Sequence, residues 1–346
     1  MFQREVSASS KTELVSIEGA TGEIGSELIG EARPEAKKLD TNNLRFSWAD
    51  LLVLLCITIW GFNIPFVKAL MVSLGPLEIS VTRYGIGSIF FLAFVLIREK
   101  SLRVQWRHVP LLVAGGIIGI TLNQVFFVYS LQNTTSSEVS LLMASTPSFA
   151  ALFAWLMGQE KIKLNYWISL PLAALGVFFI VLFTPGANLK GNLLGDGLAL
   201  ATSASWAAYT VLIRPLLGHY SIAKLSAYML AIGTLAMLPF SWSQLNFDHF
   251  ASLNSQQWLT LVYCIVVALI VTNFLWYGGV KNLGAPRTAF YAYLQPFAGV
   301  IAASLVLGEV IIFWQIVGGI LVILSMAFYR VNFPKLIAKL GFKSKV

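Results

Sequence analysis

The sequence predicts an all-α membrane protein of ten transmembrane helices, arranged as two inverted five-helix repeats. Three observations carry that expectation. Apolar segments of about 20 residues follow one another almost without pause from residue 48 onward, Lys and Arg crowd into alternate connections, and landmarks of the first half recur in the second. Of 346 residues, 57% are hydrophobic and 12% charged, against about 25% charged in a soluble domain, so the apolar excess is sized for lipid. A spanning helix needs about 20 apolar residues because the hydrocarbon layer is roughly 30 Å thick and a helix rises about 1.5 Å per residue. A closed barrel would need alternating strands, which the unbroken runs Leu51 to Ile59 and Leu111 to Ile120 do not offer.

Residues 1–47 are rich in Ser, Thr, Glu, Gly and Lys and hold half of the 16 acidic residues. No stretch there reaches the roughly 7 to 15 apolar residues of a signal-peptide core, so the segment reads as a disordered cytoplasmic tail. Breaks at charges, Gly/Pro and polar clusters then place spans 1 to 5 at about 48–70, 76–97, 108–131, 135–158 and 164–184, the first repeat, 48–184. Spans 6 to 10 fall at about 194–217, 223–242, 257–281, 286–308 and 310–330, the second repeat, 194–330. Asp50 and Asp196 suit the N-termini of spans 1 and 6 through the helix dipole. Thr135 and Glu138 fit a capping box opening span 4, and Pro286 suits the first turn of span 9. The remaining spans are delimited by the breaks alone. Residues 331–346 form a basic cytoplasmic C-terminal tail.

The two cysteines, Cys56 and Cys264, lie in apolar spans of different halves, which excludes a disulfide framework in a polar loop. The net charge of +8 would suggest nucleic acid in a soluble protein, but its placement makes it a topology signal. With the N-terminal tail inside, 21 of the 24 Lys and Arg residues fall on the cytoplasmic side; Lys190, Lys68 and Arg83 are the exceptions. Both termini are then cytoplasmic and the number of spans is even. An integral protein of the plasma (inner) membrane is the expectation.

A shift of 146 residues lays Asp50 on Asp196, Trp60 on Trp206 and Lys68 on Arg214, matching span 1 to span 6. A shift of 149 matches span 4 to span 9, with Asn133 on Asn282, Pro147 on Pro296, Ala154 on Ala303, Glu160 on Glu309 and Ile162 on Ile311. Because each half has an odd number of spans, the second must enter the membrane upside down. Inverted repeats place a solute site near the midplane where the halves meet.

The run Thr134 to Ile162, TTSSEVSLLMASTPSFAALFAWLMGQEKI, and its partner Gly284 to Ile311, GAPRTAFYAYLQPFAGVIAASLVLGEVI, resemble the paired signatures of the EamA-type ten-helix branch of the drug/metabolite transporter superfamily. Trp60 and Gly61, Arg83, and Gln315 with Gly318 and Gly319 resemble the same pattern, and the likeness covers about residues 48–330. The resemblance implies a carrier, often an exporter, of small metabolites such as amino acids or related compounds.

Polar groups in hydrocarbon are costly unless paired or wetted, so their depth is informative. Trp60, Asn63, Asn123, Gln124, Thr146, Trp206, Tyr209, Asn273, Trp276 and Gln295 fall near mid-span, and Asn123/Gln124 match Thr272/Asn273 in the 149-residue register. They read either as a pseudo-symmetric lining for a solute or as interhelical hydrogen bonds worth roughly 1 kcal/mol each. Arg83 is the one charge well inside a span: its planar fork could bind a substrate anion or an outer gate, or pair with Glu78 or Glu138 as a clamp. Pro147 and Pro296 free the carbonyls of Met143 and Ala292, which suits a hinge or a static kink satisfied by a neighbouring Thr. Glu160 and Glu309 read as loop-backbone clamps.

No catalytic residue, metal site or cofactor is expected. The clustered Asp, His/Asp pair, HExxH helix or P-loop of a membrane enzyme or ATP-driven pump is absent from the sequence. No His or carboxylate sits mid-span, so uncoupled diffusion or exchange is expected unless Glu138 or the solute carries a proton. The expected partners are a small-molecule solute and membrane lipid, not nucleic acid, for a monomer or weak homodimer. The alternative is a membrane-embedded sensor, scaffold or enzyme without solute flux.

Overall fold

The computed structural model describes residues 47–158, 171, 172, 175, 176, 179, 189–283, 288 and 291–330. Span 1 is the helix Trp48–Leu70, span 2 Pro76–Arg98, span 3 Trp106–Asn133 and span 7 Ile222–Ser241. Span 4 runs through Ser136–Leu142, a 3-10 turn Met143–Ser145 and Thr146–Leu156. Of span 5, the five described residues are helical. Span 6 is Leu189–Ile213. Span 8 comprises Ser255–Val262, Tyr263–Val271 and Thr272–Leu283; span 9 follows as Ala292–Leu294 and Gln295–Leu307, and span 10 as Phe313–Arg330. Among the described residues no strand occurs, and five helices are long and apolar enough to cross a membrane. Side chains such as Leu55, Ile89, Leu235, Leu259 and Ile301 point away from the bundle and stay exposed, the surface that lipid solvates.

Local chemistry accounts for the helix starts. Ser47 and Asp50 close a capping box on span 1, with Ser47 N 2.7 Å from Asp50 Oδ2. Thr135 Oγ1 accepts from the Glu138 amide at 3.1 Å, and the Glu138 carboxylate returns to the Thr135 amide at 3.1 Å, as expected for span 4. Asp196 departs from expectation. Span 6 begins at Leu189, so Asp196 sits two turns inside the helix rather than at its dipole, and it is buried. Pro286 and Glu160 lie outside the described residues.

Inversion is visible where equivalent spans meet side by side. Along the contact of spans 2 and 7, Leu77 N donates to Gln244 Oε1 at 3.1 Å, Gly85 faces Thr234, and Glu99 lies 3.5 Å from Lys224. Numbers rise in one helix as they fall in the other. Spans 4 and 9 do the same, with Ser136 and Ser137 against Glu309 and Ser140 against Gly299. Since 2 and 7, and 4 and 9, are equivalents in the repeat, the two copies are antiparallel. The other helix contacts agree: span 1 packs on 9 and 8, span 6 on 4 and 3, span 3 on 7, and span 8 on 2, a set unchanged when the halves are exchanged.

With lipid outside, helices are held by close packing and interhelical bonds rather than by exclusion of water. Gly61 marks one close seam. A Cβ there would lie 2.5 Å from Ala298 Cβ and 2.9 Å from the backbone of Ala298 and Gly299, so span 1 meets span 9 nearly backbone to backbone. Gly119 in span 3 likewise takes the ring of Tyr209 from span 6 against its backbone.

Candidate functional site

Spans 1, 2, 3, 4, 6, 7, 8 and 9 converge on an internal cavity at mid-bundle, where centres of water-sized spheres range over about 140 Å³. A single water takes about 10–15 Å³ by that measure, so a small metabolite fits. All the residues expected to line a solute path border it: Trp60, Asn63, Arg83, Asn123, Gln124, Thr146, Trp206, Tyr209, Asn273, Trp276 and Gln295. Its wall also maps onto itself. Trp60 pairs with Trp206, Asn63 with Tyr209, Ile64 with Thr210 and Arg83 with Met229 at a shift of 146; Asn123 pairs with Thr272, Phe127 with Trp276 and Thr146 with Gln295 at 149. The cavity therefore lies on the pseudo-two-fold axis, between the repeats.

Helix irregularities aim these side chains. Span 3 is π-helical over Ile117–Leu122 and span 8 over Tyr263–Val271, and the two segments end at matching positions, immediately before Asn123 and Thr272. A π turn carries an extra residue, which rotates the side chains that follow it, and such turns gather at functional sites. The 3-10 turns Met143–Ser145 and Ala292–Leu294 also match, each two residues before its proline. Lacking an N–H, Pro147 and Pro296 cannot continue the ladder, and each sits in the first turn of a restarted helix. Thr146 Oγ1 donates to the freed Met143 carbonyl at 2.7 Å, the local satisfaction expected of a kink.

Aromatic rings form one side of the cavity. Trp60 stands 5.0 Å from Trp276 and 5.7 Å from Trp206, whose ring is 5.2 Å from Tyr209. The Trp60 indole N–H donates to Thr272 Oγ1 at 2.9 Å, and the hydroxyls of Tyr209 and Tyr277 bond one another. Amides supply the polar side. Asn123 Nδ2 donates to the Thr202 carbonyl at 3.0 Å, Gln124 Nε2 to Asn123 Oδ1 at 3.0 Å, and Asn273 Oδ1 accepts from Ser226 at 3.3 Å. Several amides are thus spent on helix contacts, but Gln124 Oε1 is buried without a partner.

Arg83 is 2% exposed; its Nη2 donates to Asn63 Oδ1 at 3.2 Å, its guanidinium carbon stands 5.7 Å from the centre of the Tyr84 ring, and Nε and Nη1 are buried without hydrogen-bond partners. Neither expected clamp forms. Glu78 caps its own helix at Gly75 N and binds Asn246 N and His249 Nδ1, while Glu138 holds Thr134 and Thr135.

The end of the bundle opposite Ser47, here the distal end, is laced by polar contacts. Glu309 Oε1 accepts from Ser136 N at 3.0 Å, its Oε2 accepts from Ser137 N and Oγ at 3.0 and 2.8 Å, and Lys68 Nζ lies 3.6 Å away. At the other end the Tyr291 hydroxyl donates to Asp50 Oδ1 at 2.7 Å. Met229, the repeat partner of Arg83, borders the cavity as well, and so do Thr202, Thr210, Ser226 and Phe127, which sequence reading passed over. Phe127 was recoverable as the repeat partner of Trp276.

The model of the EamA-like transporter family matches residues 47–182 and again 193–331. The chain belongs to that family. The two EamA-like matches coincide with the two inverted repeats, so the repeat unit seen in packing is the family unit. A protein of Archaeoglobus fulgidus described as an uncharacterized transporter is 27% identical over 280 residues, 79% of this chain and 94% of its own. YetK of Bacillus subtilis, an uncharacterized transporter, is 26% identical over 73% of this chain and 78% of its own. The uncharacterized inner membrane transporter YedA of Escherichia coli is 27% identical over 72% and 80%. A solved crystal structure shares the fold at a TM-score of 0.59 and 18% identity, over 83% of this chain and 98% of its own. The protein is an integral membrane protein of a transporter family rather than of an enzyme family.

Proposed function

We propose that the protein is a carrier, an exporter in its physiological direction, of small organic metabolites by alternating access, with the axial cavity as its solute site. One observation carries the reading: the cavity wall is built from equivalent positions of two antiparallel repeats. Exchanging the conformations of the two repeats would then convert a site open to one side into the same site open to the other. The polar lacing by Glu309 and Lys68 closes the distal end, and matching helix breaks at Pro147 and Pro296 supply the hinges. Export is the direction the family resemblance favours. The Lys/Arg bias supports cytoplasmic termini in a plasma (inner) membrane, with monomers or weak homodimers as the working unit.

The test needs no known solute. Ala150 borders the cavity, and the native thiols Cys56 and Cys264 are buried. An Ala150→Cys variant in a Cys56→Ala, Cys264→Ala background, in vesicles of both orientations, is treated with a membrane-impermeant thiol reagent. A carrier reacts from both faces. Reaction from one face only would favour a sensor or scaffold and end the carrier reading.

A further inference from the structure

We infer that the cavity selects an aromatic or similarly amphipathic monocarboxylate, held by Arg83 and needing no amino group. This rests on the carrier reading of the same cavity. Arg83 lies near the start of span 2 with its guanidinium buried beside the Tyr84 ring, one nitrogen on Asn63 and two nitrogens without a hydrogen-bond acceptor. Arginine does not neutralise, and a buried cation without an anion is among the least tolerable groups in a membrane interior. The missing acceptor is therefore the strongest unmet requirement in the site.

No described side chain meets it. Among the described residues the cavity wall contains no Asp, Glu, Lys or His, and the ring beside the guanidinium is that of Tyr84, a phenol rather than an acid. A carboxylate offers two oxygens to a guanidinium in a planar, bidentate fit. Among the same described residues no carboxylate is placed to receive an ammonium group, so an amine on the solute would enter without a counter-ion from them. Trp60, Trp206 and Trp276 provide the apolar surface for the rest of the molecule. One cation fixes the charge at minus one, because the repeat partner of Arg83 is Met229.

Three probes sharing one phenylethyl body isolate the groups: 3-phenylpropanoate, phenylalanine and phenethylamine. Thermal stabilisation of the purified full chain is measured with each, for the native protein, Arg83→Met and Arg83→Lys. Phenylpropanoate should stabilise the native protein at least as well as phenylalanine, and phenethylamine should not. Arg83→Met should weaken the carboxylate response at least about tenfold, and without ligand it should be as stable as the native protein or more so, since it removes an unpaired charge. Arg83→Lys, which keeps the charge but not the fork, should fall between and serves if the Met variant does not fold. Stabilisation by phenethylamine, equal carboxylate responses of native and Arg83→Met proteins, or no response to any carboxylate would overturn the assignment. Two-sided labelling of Ala150→Cys would survive each of these results, which separates failure of this inference from failure of the carrier reading.

Discussion

Glu309→Gln tests the distal lacing. Glu309 lies beyond the end of span 9 yet caps span 4, taking two backbone amides that no turn of that helix can satisfy. Glutamine keeps one carbonyl oxygen, so Ser136 retains its acceptor while the amide nitrogen faces Ser137 N. An unsatisfied backbone donor costs about 1–3 kcal/mol, and loss of a negative charge at a helix N-terminus about 0.3–1 kcal/mol. The ion pair with Lys68 is partly exposed, at 28% and 15%, and adds under about 1 kcal/mol; Lys68 keeps the Thr134 carbonyl at 2.7 Å. Together these come to at least about 1.4 kcal/mol, which corresponds to a rise in local opening of about tenfold or more. Amide hydrogen exchange of the segment 134–139, followed by mass spectrometry on the full chain, should quicken by that factor while span 2 stays unchanged. A change below about threefold would refute the assignment of Glu309 as the distal clamp.

Gly61→Val should cost at least about 1–3 kcal/mol, because the new side chain meets the backbone of span 9, and folded protein in size exclusion should fall. Gly197→Ala, which faces nothing within 4 Å, is the control and should leave the yield unchanged. Trp60→Phe removes the donor to Thr272 Oγ1, which still bonds the Ala268 carbonyl at 2.7 Å, so thermal unfolding should shift by only about 1 kcal/mol. Thr146→Val strips the hydroxyl from the Met143 carbonyl, which keeps the Thr146 amide as its other donor, at about 0.5–1.5 kcal/mol, and should change the rate of two-sided labelling at Ala150→Cys more than its final extent. An unchanged rate would make that break a static kink.

What the sequence made legible follows from the cost of polar groups in lipid. Span lengths and the repeat could be read because hydrocarbon thickness fixes one and duplicated Trp, Pro and Glu positions mark the other. The lining could be listed because Asn123, Gln124, Asn273 and Gln295 have few cheap places to be except facing one another or water. Tertiary neighbours hid the rest. Among the described residues span 6 is helical from Leu189 rather than from about residue 194: Lys190 and Asn192 interrupt the apolar run, whereas a helix needs only its backbone ladder and continues through them. The π turns leave no compositional mark: IIGITL and YCIVVALIV are ordinary apolar runs. Glu78 looked available to Arg83 along span 2, but its partners Asn246 and His249 come from a connection about 170 residues away in sequence.

The pair Arg83 and Met229 allows a sharper trial of the symmetry itself. If the cavity wall is equivalent under exchange of the halves, a carboxylate has two related places to bind, and the native protein occupies one because only one carries a guanidinium. The double variant Arg83→Met, Met229→Arg moves the charge to the other. Its surroundings are similar but not identical, for Asn63, which accepts from Arg83, is replaced in the second copy by Tyr209, already engaged with Tyr277. Loss of that acceptor is worth about 1.5–3 kcal/mol when the donor is charged. The double variant should therefore respond to 3-phenylpropanoate more weakly than the native protein but clearly more strongly than Arg83→Met alone. Recovery would mean that the repeats present the solute with interchangeable walls, which alternating access requires. A folded double variant as unresponsive as Arg83→Met would mean that the walls match in sequence register but not in binding, and that Arg83 acts through features of span 2 alone.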